Sequence, residues 1–503
     1  MSRVTTNDRP IGQLRAILHP LHQHRRFLWP VAVAVLFTYG YFIGTPGWNQ
    51  NSRLALTRAI VEQGTTVIDR YHETTGDKSF RDGHFYSDKA PGASLLAVPA
   101  YALFYATRKI TGGELPDVRV SALDPLDDAI GRAPDLAMRA AGDTLFYNHS
   151  HKMAMYVCAL TTSTLVAMIG VAALWLLVLR QVAGDVRTAV MVVLVYALAT
   201  PALVYSSAFY GHQLCADFLL IAFAVLVLMH PGKHTHSGLL VAGAALGLAV
   251  LCEYPAVVPA ALLAGYAVRR HAATAMFWLA IGALPFASIL AWYHHVSFGN
   301  PFTTGYAYVH LPEFAEGMRL RYGIGLPDAT VLTSIMFGSY RGLFYLSPVL
   351  LLATWGLVRA CLRGDACFER LAAVSALGIV VFYLLLNASY YMWDGGAALG
   401  PRHCVPMLPF LVLGLAAPFA VVSRACIVLA MVSGVQMLLA AAASPEAPRH
   451  GNPLWEFAIP RLLDVTSSGA GNLGHLLGLP SMFSLMPLCA LWLWVWLRVL
   501  RVP

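Results

Sequence analysis

The chain has 503 residues, of which 58% are hydrophobic and only 12% charged, and its mean hydropathy is +0.61. These values lie far outside the range of soluble domains and exclude an ordinary soluble enzyme. The net charge of +8 is explained by Lys and Arg at cytoplasmic helix ends, so it does not indicate a nucleic-acid partner. The composition predicts an all-α polytopic membrane protein.

Apolar runs long enough to cross about 30 Å of hydrocarbon, roughly twenty residues each, recur along the chain. They predict about 12 transmembrane helices, within a range of roughly 11–13. The predicted spans lie near residues 28–45, 153–179, 188–208, 213–230, 237–252, 254–268, 275–294, 342–362, 371–389, 403–422, 425–444 and 482–499.

The distribution of basic residues predicts the orientation of these spans. Arg15, Arg25 and Arg26 precede the first span and no small-residue cleavage site follows it, which indicates a cytoplasmic N-terminus and an uncleaved anchor. With that start, the short inner loops receive most of the remaining Arg residues, and both termini are cytoplasmic. We expect a cytoplasmic segment over 1–27 and a single membrane domain over 28–503, in a bacterial inner (plasma) membrane.

One apolar run, 92–107, is left out of the count. It is short, is broken by Pro99 and ends in Arg108 and Lys109, so it is predicted to be an interfacial helix. Counting it as a span would reverse the orientation of every later span and place most Arg residues of the short loops on the outer side. Residues 46–152 then form a large outer loop that is rich in charge, with a short helix expected around 126–141.

Polar residues cluster at the predicted outer ends of the helices. The first loop supplies acidic residues next to a lysine, and later loops supply further polar groups: Asp69, Asp77, Asp82, Asp88, Lys89, His212, Glu253, Tyr306, Arg341, Trp393, Asp394 and Arg402. Only Asp217 approaches mid-membrane, where an ion carrier would place paired charges. We therefore expect a site that opens to the outer, periplasmic leaflet.

Several segments carry a resemblance to a known family. They are Trp48-Asn49-Gln50-Asn51-Ser52-Arg53, Phe85-Tyr86-Ser87-Asp88-Lys89-Ala90-Pro91-Gly92, residues 298–306, residues 339–344 and residues 393–402. Together they resemble the class-C membrane glycosyltransferases, the superfamily that contains the protein O-mannosyltransferases and the lipid A aminoarabinose transferases. The second segment is similar to the family's Tyr-Phe-(acid)-Lys-Pro-Pro motif.

The resemblance implies an enzyme that moves a sugar from a polyprenyl-phosphate donor, a lipid of the membrane, to an acceptor on the non-cytoplasmic face. The configuration at the anomeric carbon of the sugar is inverted. Such a transfer needs a carboxylate base and cations that stabilise the departing phosphate. The candidate bases are Asp88, Asp77 and Asp69. The candidate phosphate ligands are Lys89, Arg402, His212 and Arg341, and the candidate substrate contacts are Arg53, Tyr86, Glu253, Tyr306 and Trp393. The nearby carboxylates would permit Mg²⁺ or Mn²⁺, and the oligomeric state stays open.

One departure from the family concerns the residues after the first span. Family members usually carry an acidic residue there, where this chain has Asn49, Gln50 and Asn51. The base has therefore moved to Asp69 or Asp77, or the protein binds lipid-linked sugar without catalysis. A lipid or solute transporter is the other alternative, and it would be expected to show two related halves and broken helices at mid-depth.

Structural roles also compete for these residues. Asp88 and Lys89 could form a surface salt bridge of little value, Asp69 could cap a loop, and Asp77 could form an Asx turn. Glu253 could mark a tight turn between two spans. Tyr306 and Trp393 could belong to an interfacial aromatic belt.

Overall fold

The computed structural model describes residues 19–44, 47–122, 143–182, 185–230, 235–363, 369–464 and 471–499. Over these residues the chain is mostly helical, with three two-stranded antiparallel sheets. The predicted helical fold class is confirmed at this level.

Six helical segments of the described residues are long and apolar enough to cross a membrane: His149–Gln181, Gly211–Leu228, Thr274–Phe298, Arg370–Ser389, Arg402–Val421 and Ser423–Ala443. Each coincides with one of the predicted spans. Three shorter apolar helices coincide with others: Val186–Leu198, His236–Cys252 and Ser481–Val495. The chain is a membrane protein, and the count of twelve spans stays a prediction.

The first half of the chain contains α1 (Arg25–Tyr39), α2 (Trp48–Arg58), α3 (Gly92–Ile110), α4 (His149–Ala159), α5 (Leu165–Gln181), α6 (Val186–Leu198), α7 (Ala202–Ser206), α8 (Gly211–Leu228) and α9 (Thr235–Cys252). The second half contains α10 (Val257–His271), α11 (Thr274–Phe298), α12 (Pro312–Met318), α13 (Ala329–Phe337), α14 (Leu343–Leu346), α15 (Val349–Arg363), α16 (Arg370–Ser389), α17 (Leu408–Val412), α18 (Ala416–Val421), α19 (Ser423–Ala443), α20 (Ile459–Leu463), α21 (Leu473–Leu476) and α22 (Met486–Val499).

The strands pair in three sheets. In the first, β1 (Phe42–Ile43) pairs with β6 (Gly471–Asn472). In the others, β2 (Lys78–Arg81) pairs with β3 (His84–Ser87), and β4 (Val118–Ala122) pairs with β5 (Asp143–Tyr147). The β4–β5 pair was not expected from the sequence, and the predicted helix around 126–141 lies outside the described residues.

Burial separates central from peripheral helices. In α8 83% of the apolar window is buried within the protein, whereas in α11 the share is 17%. Because both helices are strongly apolar, α8 lies in the core and α11 leaves most of its surface for lipid. The N-terminal end of α8 therefore brings polar side chains into the centre of the fold.

Several predicted spans are interrupted by proline. The run predicted over 188–208 breaks at Pro201, between α6 and α7, and the run over 403–422 consists of short α and 3₁₀ segments that contain Pro406, Pro409 and Pro418. Proline lacks a backbone N–H and clashes with the preceding turn, so a regular helix is not continued through these positions.

The segment before α3 is fixed by a tight hairpin. Asp82 and Gly83 connect β2 to β3, with φ values of 51° and 83°, the backbone that an Asp-Gly type I′ turn requires. At the start of α3, a Cβ on Gly92 would lie 2.6 Å from the backbone of Leu251 in α9. Only glycine permits this approach, so residues 88–91 are held between the hairpin and the membrane helices. The observed α3 agrees with the helix predicted over 92–107, and its interfacial placement stays a prediction.

Candidate active site

Lys89 lies between two carboxylates directly after the hairpin. Its Nζ is 3.0 Å from Oδ2 of Asp77 and 3.3 Å from Oδ2 of Asp88. The three side chains are 13%, 17% and 7% exposed, respectively. Asp88 is buried and its two partners are half-buried, so the group is less exposed than a surface salt bridge.

The two carboxylates differ in their acidity. Burial raises the pKa of Asp88 to about 6, an effect that Lys89 reduces and the charge of Asp77 increases. Burial acts in the same direction on Asp77, but the charges of Lys89 and Arg402 outweigh it and its pKa is lowered. The pKa of Lys89 rises to about 12, since the two carboxylates outweigh its own burial. Asp77 is thus the ionised partner of Lys89, and Asp88 is the more basic carboxylate.

Serine hydroxyls fix the two chain segments that carry this group. Ser52 Oγ of α2 donates to the carbonyl of Asp77 over 2.6 Å and lies 2.8 Å from Ser87 Oγ. The hydroxyl of Tyr293 donates to the carbonyl of Ser87 over 3.2 Å. Since the Lys89 backbone N–H also donates to Ser87 Oγ over 3.3 Å, one small network orients both carboxylates. The carboxylate of Asp77 pairs with Lys89, and among the described hydrogen bonds it does not close an Asx turn. The backbone N–H of Asp77 donates to Thr75 Oγ1.

A second group is centred on Glu253, in the turn after α9. Its Oε1 lies 2.8 Å from Nη2 of Arg53 and 3.2 Å from Nδ1 of His212. Arg53 is 1% exposed, and it also donates to Asn49 Oδ1 and to the carbonyl of Ala90. Through these contacts the Arg53–Glu253 ion pair connects α2 with His212, at the start of α8, and with Ala90, just before α3. Glu253 does mark a tight turn, as expected, and it also holds two predicted site residues.

The charges of both groups act on each other. Burial raises the pKa of Glu253, and the charges of Arg53, Lys89 and Arg402 oppose that rise. The group around Lys89 and the group around Glu253 therefore share one electrostatic environment. The structure brings together residues that the sequence separates by more than 300 positions, such as Asp77 and Arg402.

Arg402 lies within electrostatic range of both groups. Within the described residues its guanidinium forms no ion pair, and its Nε is buried and has no hydrogen-bond partner. Three further buried polar atoms nearby also lack a partner in this part of the chain: Oδ1 of Asp88, Nε2 of His212 and Nε2 of His403. The His403 ring centroid lies 5.3 Å from that of His212 and 5.2 Å from that of Tyr390. Buried polar groups are normally satisfied, so this concentration of unsatisfied atoms indicates a ligand site.

Sequence reasoning missed Glu446. Its Oε1 accepts hydrogen bonds from Tyr210, over 3.0 Å, and from Gln50 Nε2, over 3.3 Å. The charges of Glu446 and Arg402 both act on Tyr210, so a further carboxylate lies at this end of the site. The signal available in the sequence was a lone acid between Pro445 and Pro448, directly after an apolar run.

The three amides after the first predicted span, where the resemblance implied an acid, have structural partners. Asn49 accepts from Arg53, Gln50 accepts from the backbone N–H of Phe209 and donates to Glu446, and Asn51 donates to the carbonyl of Thr74. Gln50 and Asn51 therefore tie α2 to its surroundings, whereas Asn49 orients Arg53 within the same helix. Through Gln50, the carboxylate of Glu446 from a distant loop contacts the start of α2.

Some predicted residues lie in other contacts. Asp69 accepts from the backbone N–H of Phe85 over 2.6 Å, and its Oδ2 is 2.7 Å from Nδ1 of His84. It is 43% exposed and acts as the loop cap that was the alternative interpretation. Tyr86 packs against Phe298, with ring centroids 5.6 Å apart, in a small apolar cluster.

Three further candidates lie around the site. The guanidinium of Arg341 is fully buried and donates to the carbonyls of Asp394, Gly396 and Pro448. Trp393 packs against Tyr340, with ring centroids 6.2 Å apart. Tyr306 packs against Tyr254, at 5.8 Å, within electrostatic range of Asp88 and Glu253. Of the three, Tyr306 lies beside the group around Lys89.

The metal that the sequence left open has no ready ligand set. The described residues bring no three His, Cys, Asp or Glu side chains together in an arrangement that could hold a metal ion.

Comparisons with known proteins gave structural similarity alone. No family model matches the chain, and no curated protein is significantly similar to it. The chain is similar in structure to ArnT from Cupriavidus metallidurans bound to undecaprenyl phosphate, at 17% identity and a TM-score of 0.48, over 95% of this chain and 76% of that one. It is also similar to the oligosaccharyltransferase AglB from Archaeoglobus fulgidus, in complex with an inhibitory peptide and a dolichol-phosphate, at 10% identity and a TM-score of 0.43, over 85% and 57% of the two chains. Both are class-C transferases, the class that the sequence motifs resemble. Because these TM-scores lie below 0.5, a function has to be argued from the site itself.

Proposed function

We propose that this protein transfers a sugar from a polyprenyl-phosphate donor to a lipid, glycan or protein acceptor on the non-cytoplasmic face of the membrane, with inversion. The observation that carries the proposal is the group of Lys89, Asp77 and buried Asp88 within electrostatic range of Arg402, whose guanidinium forms no ion pair and whose Nε has no hydrogen-bond partner among the described residues. A base and a set of cations are the two requirements of an inverting transfer to a nucleophilic acceptor.

Asp88 is the base in this proposal. Its pKa, raised to about 6, lies closer to neutrality than that of Asp77, and a base is most effective when its pKa is near the working pH. Its Oδ2 is held by Lys89 while Oδ1 is buried without a partner. The free oxygen would accept the proton of the acceptor hydroxyl or amine as the new glycosidic bond forms. Asp77 instead keeps Lys89 charged and in place.

Lys89 and Arg402 would bind the donor phosphate. The departing polyprenyl phosphate carries the electron pair of the broken sugar–oxygen bond, and nearby cations stabilise that charge. Arg402 offers a planar fork of donors that fits phosphate oxygens, whereas Lys89 acts as a point charge. Nε2 of His403 has no partner in the described protein, so it could donate to the same phosphate when it carries the proton. His212 gives the proton of its neutral ring from Nδ1 to Glu253, so its Nε2 would accept a hydrogen bond from the substrate.

Arg53 and Glu253 position this site. Arg53 is neutralised by Glu253 and does not require a ligand. Glu253 accepts from Nδ1 of His212, which fixes the ring and leaves Nε2 for the substrate. Tyr306 remains a candidate for contact with the sugar. Trp393, Tyr86 and Asp69 have structural contacts that require no substrate. Arg341 donates to three carbonyls, and its buried Nη1 has no partner among the described residues, so it remains a candidate phosphate ligand.

Sugar transfer by purified protein, supplied with a panel of polyprenyl-phosphate sugars and acceptors, tests the proposal. We expect Asp88→Asn to reduce the rate by about 10²–10⁴-fold, the range of a lost general base, while donor binding is retained. Arg402→Ala should weaken donor binding instead. Asp69→Asn, a matched change in the same loop, should leave the rate near that of the unmodified protein. Full activity in both Asp88→Asn and Asp77→Asn would reject this site.

A further inference from the structure

Residues 392–396 form a tight turn, the glycine turn, that contains two consecutive glycines in the left-handed backbone region. Gly395 has a φ of 71° and Gly396 a φ of 68°, values that residues with a Cβ rarely adopt. The backbone N–H of Gly395 donates to the carbonyl of Met392 over 3.0 Å and closes the turn. The proposed transfer gives this turn no role, although it belongs to one of the segments that carry the family resemblance.

Buried side chains from two other segments hold the carbonyls of the glycine turn. Arg341, which is 0% exposed, donates from Nε to the carbonyl of Asp394 over 3.0 Å and from Nη2 to that of Gly396 over 2.8 Å. Nδ2 of Asn387, near the end of α16, donates to the carbonyl of Trp393 over 3.2 Å. Three carbonyls of the turn therefore accept from buried donors, which fixes its backbone.

Gly395 lies directly against the side chain of Arg402. A Cβ on Gly395 would lie 3.0 Å from Cγ, 3.1 Å from Nε and 3.2 Å from Cδ of Arg402. Such distances are shorter than an ordinary van der Waals contact, so one of the two groups would have to move. Because Arg341 and Asn387 hold the glycine turn, the arginine side chain would be displaced. The missing side chain of Gly395 thus allows the guanidinium of Arg402 to lie where it does.

We propose that Gly395 is a positioning residue for donor binding, because the glycine turn forms a fixed surface that orients the guanidinium of Arg402 towards the donor phosphate. This inference rests on the proposed role of Arg402 as a phosphate ligand. An arginine that is held in place before the ligand arrives loses less conformational entropy on binding. Its planar fork of donors meets phosphate oxygens in a defined geometry, so even a small displacement weakens the contact.

Binding of undecaprenyl phosphate to the purified protein tests the inference without any measurement of transfer. We expect Gly395→Ala to raise the Kd several-fold. Gly396→Ala is the matched control, because it imposes a similar backbone strain, whereas a Cβ there meets no atom within 4 Å. The two variants should lose similar stability in thermal unfolding, and only Gly395→Ala should lose affinity. Equal Kd values of the two variants would overturn the proposal.

A double-mutant cycle shows whether Gly395 acts through Arg402. In an Arg402→Ala background, Gly395→Ala should have no further effect on the Kd, because the side chain that it displaces is absent. The same several-fold effect in that background would reject the positioning role while leaving Arg402 as a phosphate ligand. If Arg402→Ala alone binds undecaprenyl phosphate as tightly as the unmodified protein, the proposed role of Arg402 fails, and the positioning role fails with it.

Asn387→Ala is the second variant if Gly395→Ala does not fold. It removes one anchor of the glycine turn without adding an atom to it, so we expect a smaller rise in Kd that is again absent in the Arg402→Ala background. Ser389→Ala removes a hydroxyl that donates to the carbonyl of Leu385 within α16, and it should bind like the unmodified protein. Equal Kd values of Asn387→Ala and Ser389→Ala would contradict the positioning role.

Discussion

At the scale of single residues, Asp88 and Asp77 show how much of a site a sequence motif can predict. The motif predicted an acid next to a lysine, and both are in the site. It could not distinguish the two acids, because their difference arises from burial and from Arg402, more than 300 residues away. Glu446 was missed for the same reason, since only the fold brings it to Gln50 and Tyr210.

The raised pKa of Asp88 predicts the pH dependence of transfer. A base acts in its ionised form, which is lost as the pH falls through about 6. We therefore expect kcat/KM to fall about tenfold per pH unit below that value and to level off above pH ~7. A pH series of initial rates measures this. A profile that is flat from pH ~5 to pH ~8 would contradict the assignment of Asp88 as the base.

The contacts of Lys89 allow a second prediction about the pH dependence of transfer. Its positive charge holds down the pKa of both Asp77 and Asp88, so Lys89→Gln should move the midpoint of the remaining activity to higher pH as well as reduce the rate. Lys78→Gln is the control, because Lys78 in β2 bonds to the carbonyl of His72 and not to this group. An unchanged midpoint in Lys89→Gln would show that the lysine has no electrostatic effect on the base.

At the scale of elements, the sequence predicted what local chemistry determines. The start of α3 at Pro91-Gly92 and its basic end gave bounds close to those observed. The span predicted over 403–422 is present, but it consists of consecutive short helical segments, because several prolines and the close packing of Gly414 against α15 interrupt a regular helix. The β4–β5 pair was not predicted, since residues 123–142 separate its two strands, and such a separation is too long for a tight hairpin turn to indicate the pairing.

The contact between α3 and α9 predicts an effect on stability. A Cβ on Gly92 would lie 2.6 Å from the Leu251 backbone, so Gly92→Ala should force the helices apart and reduce the free energy of unfolding by about 1–3 kcal/mol. Gly265 in α10 is the matched control, because a Cβ there meets no atom within 4 Å and alanine favours a helix. Gly265→Ala should be neutral or slightly stabilising. Equal unfolding temperatures of the two variants would contradict this packing.

At the scale of the whole molecule, two distant segments limit the topology. The backbone N–H of His310 donates to the carbonyl of Lys78 over 3.0 Å, and Ser79 forms a β-bridge with Val309. Segments that share backbone hydrogen bonds lie on the same side of a membrane, so the chain crosses it an even number of times between them. The predicted spans between residues 79 and 309 number six. Counting 92–107 as a further span would make the number odd, which supports the interfacial assignment.

This topology makes a prediction about access from outside the cell. Asp82→Cys and Phe302→Cys place thiols at residues that are 75% and 90% exposed, one before α3 and one after it. Both should react with a membrane-impermeant maleimide in intact cells. Arg187→Cys, exposed at the start of α6, lies in a predicted inner loop and should react only after permeabilisation, and the unmodified protein controls for its native cysteines. The contact between β2 and residues 309–310 keeps the first two positions on the same side of the membrane. Labelling of Arg187→Cys in intact cells would place the candidate active site on the cytoplasmic side. No acceptor on the outer leaflet could then reach Asp88.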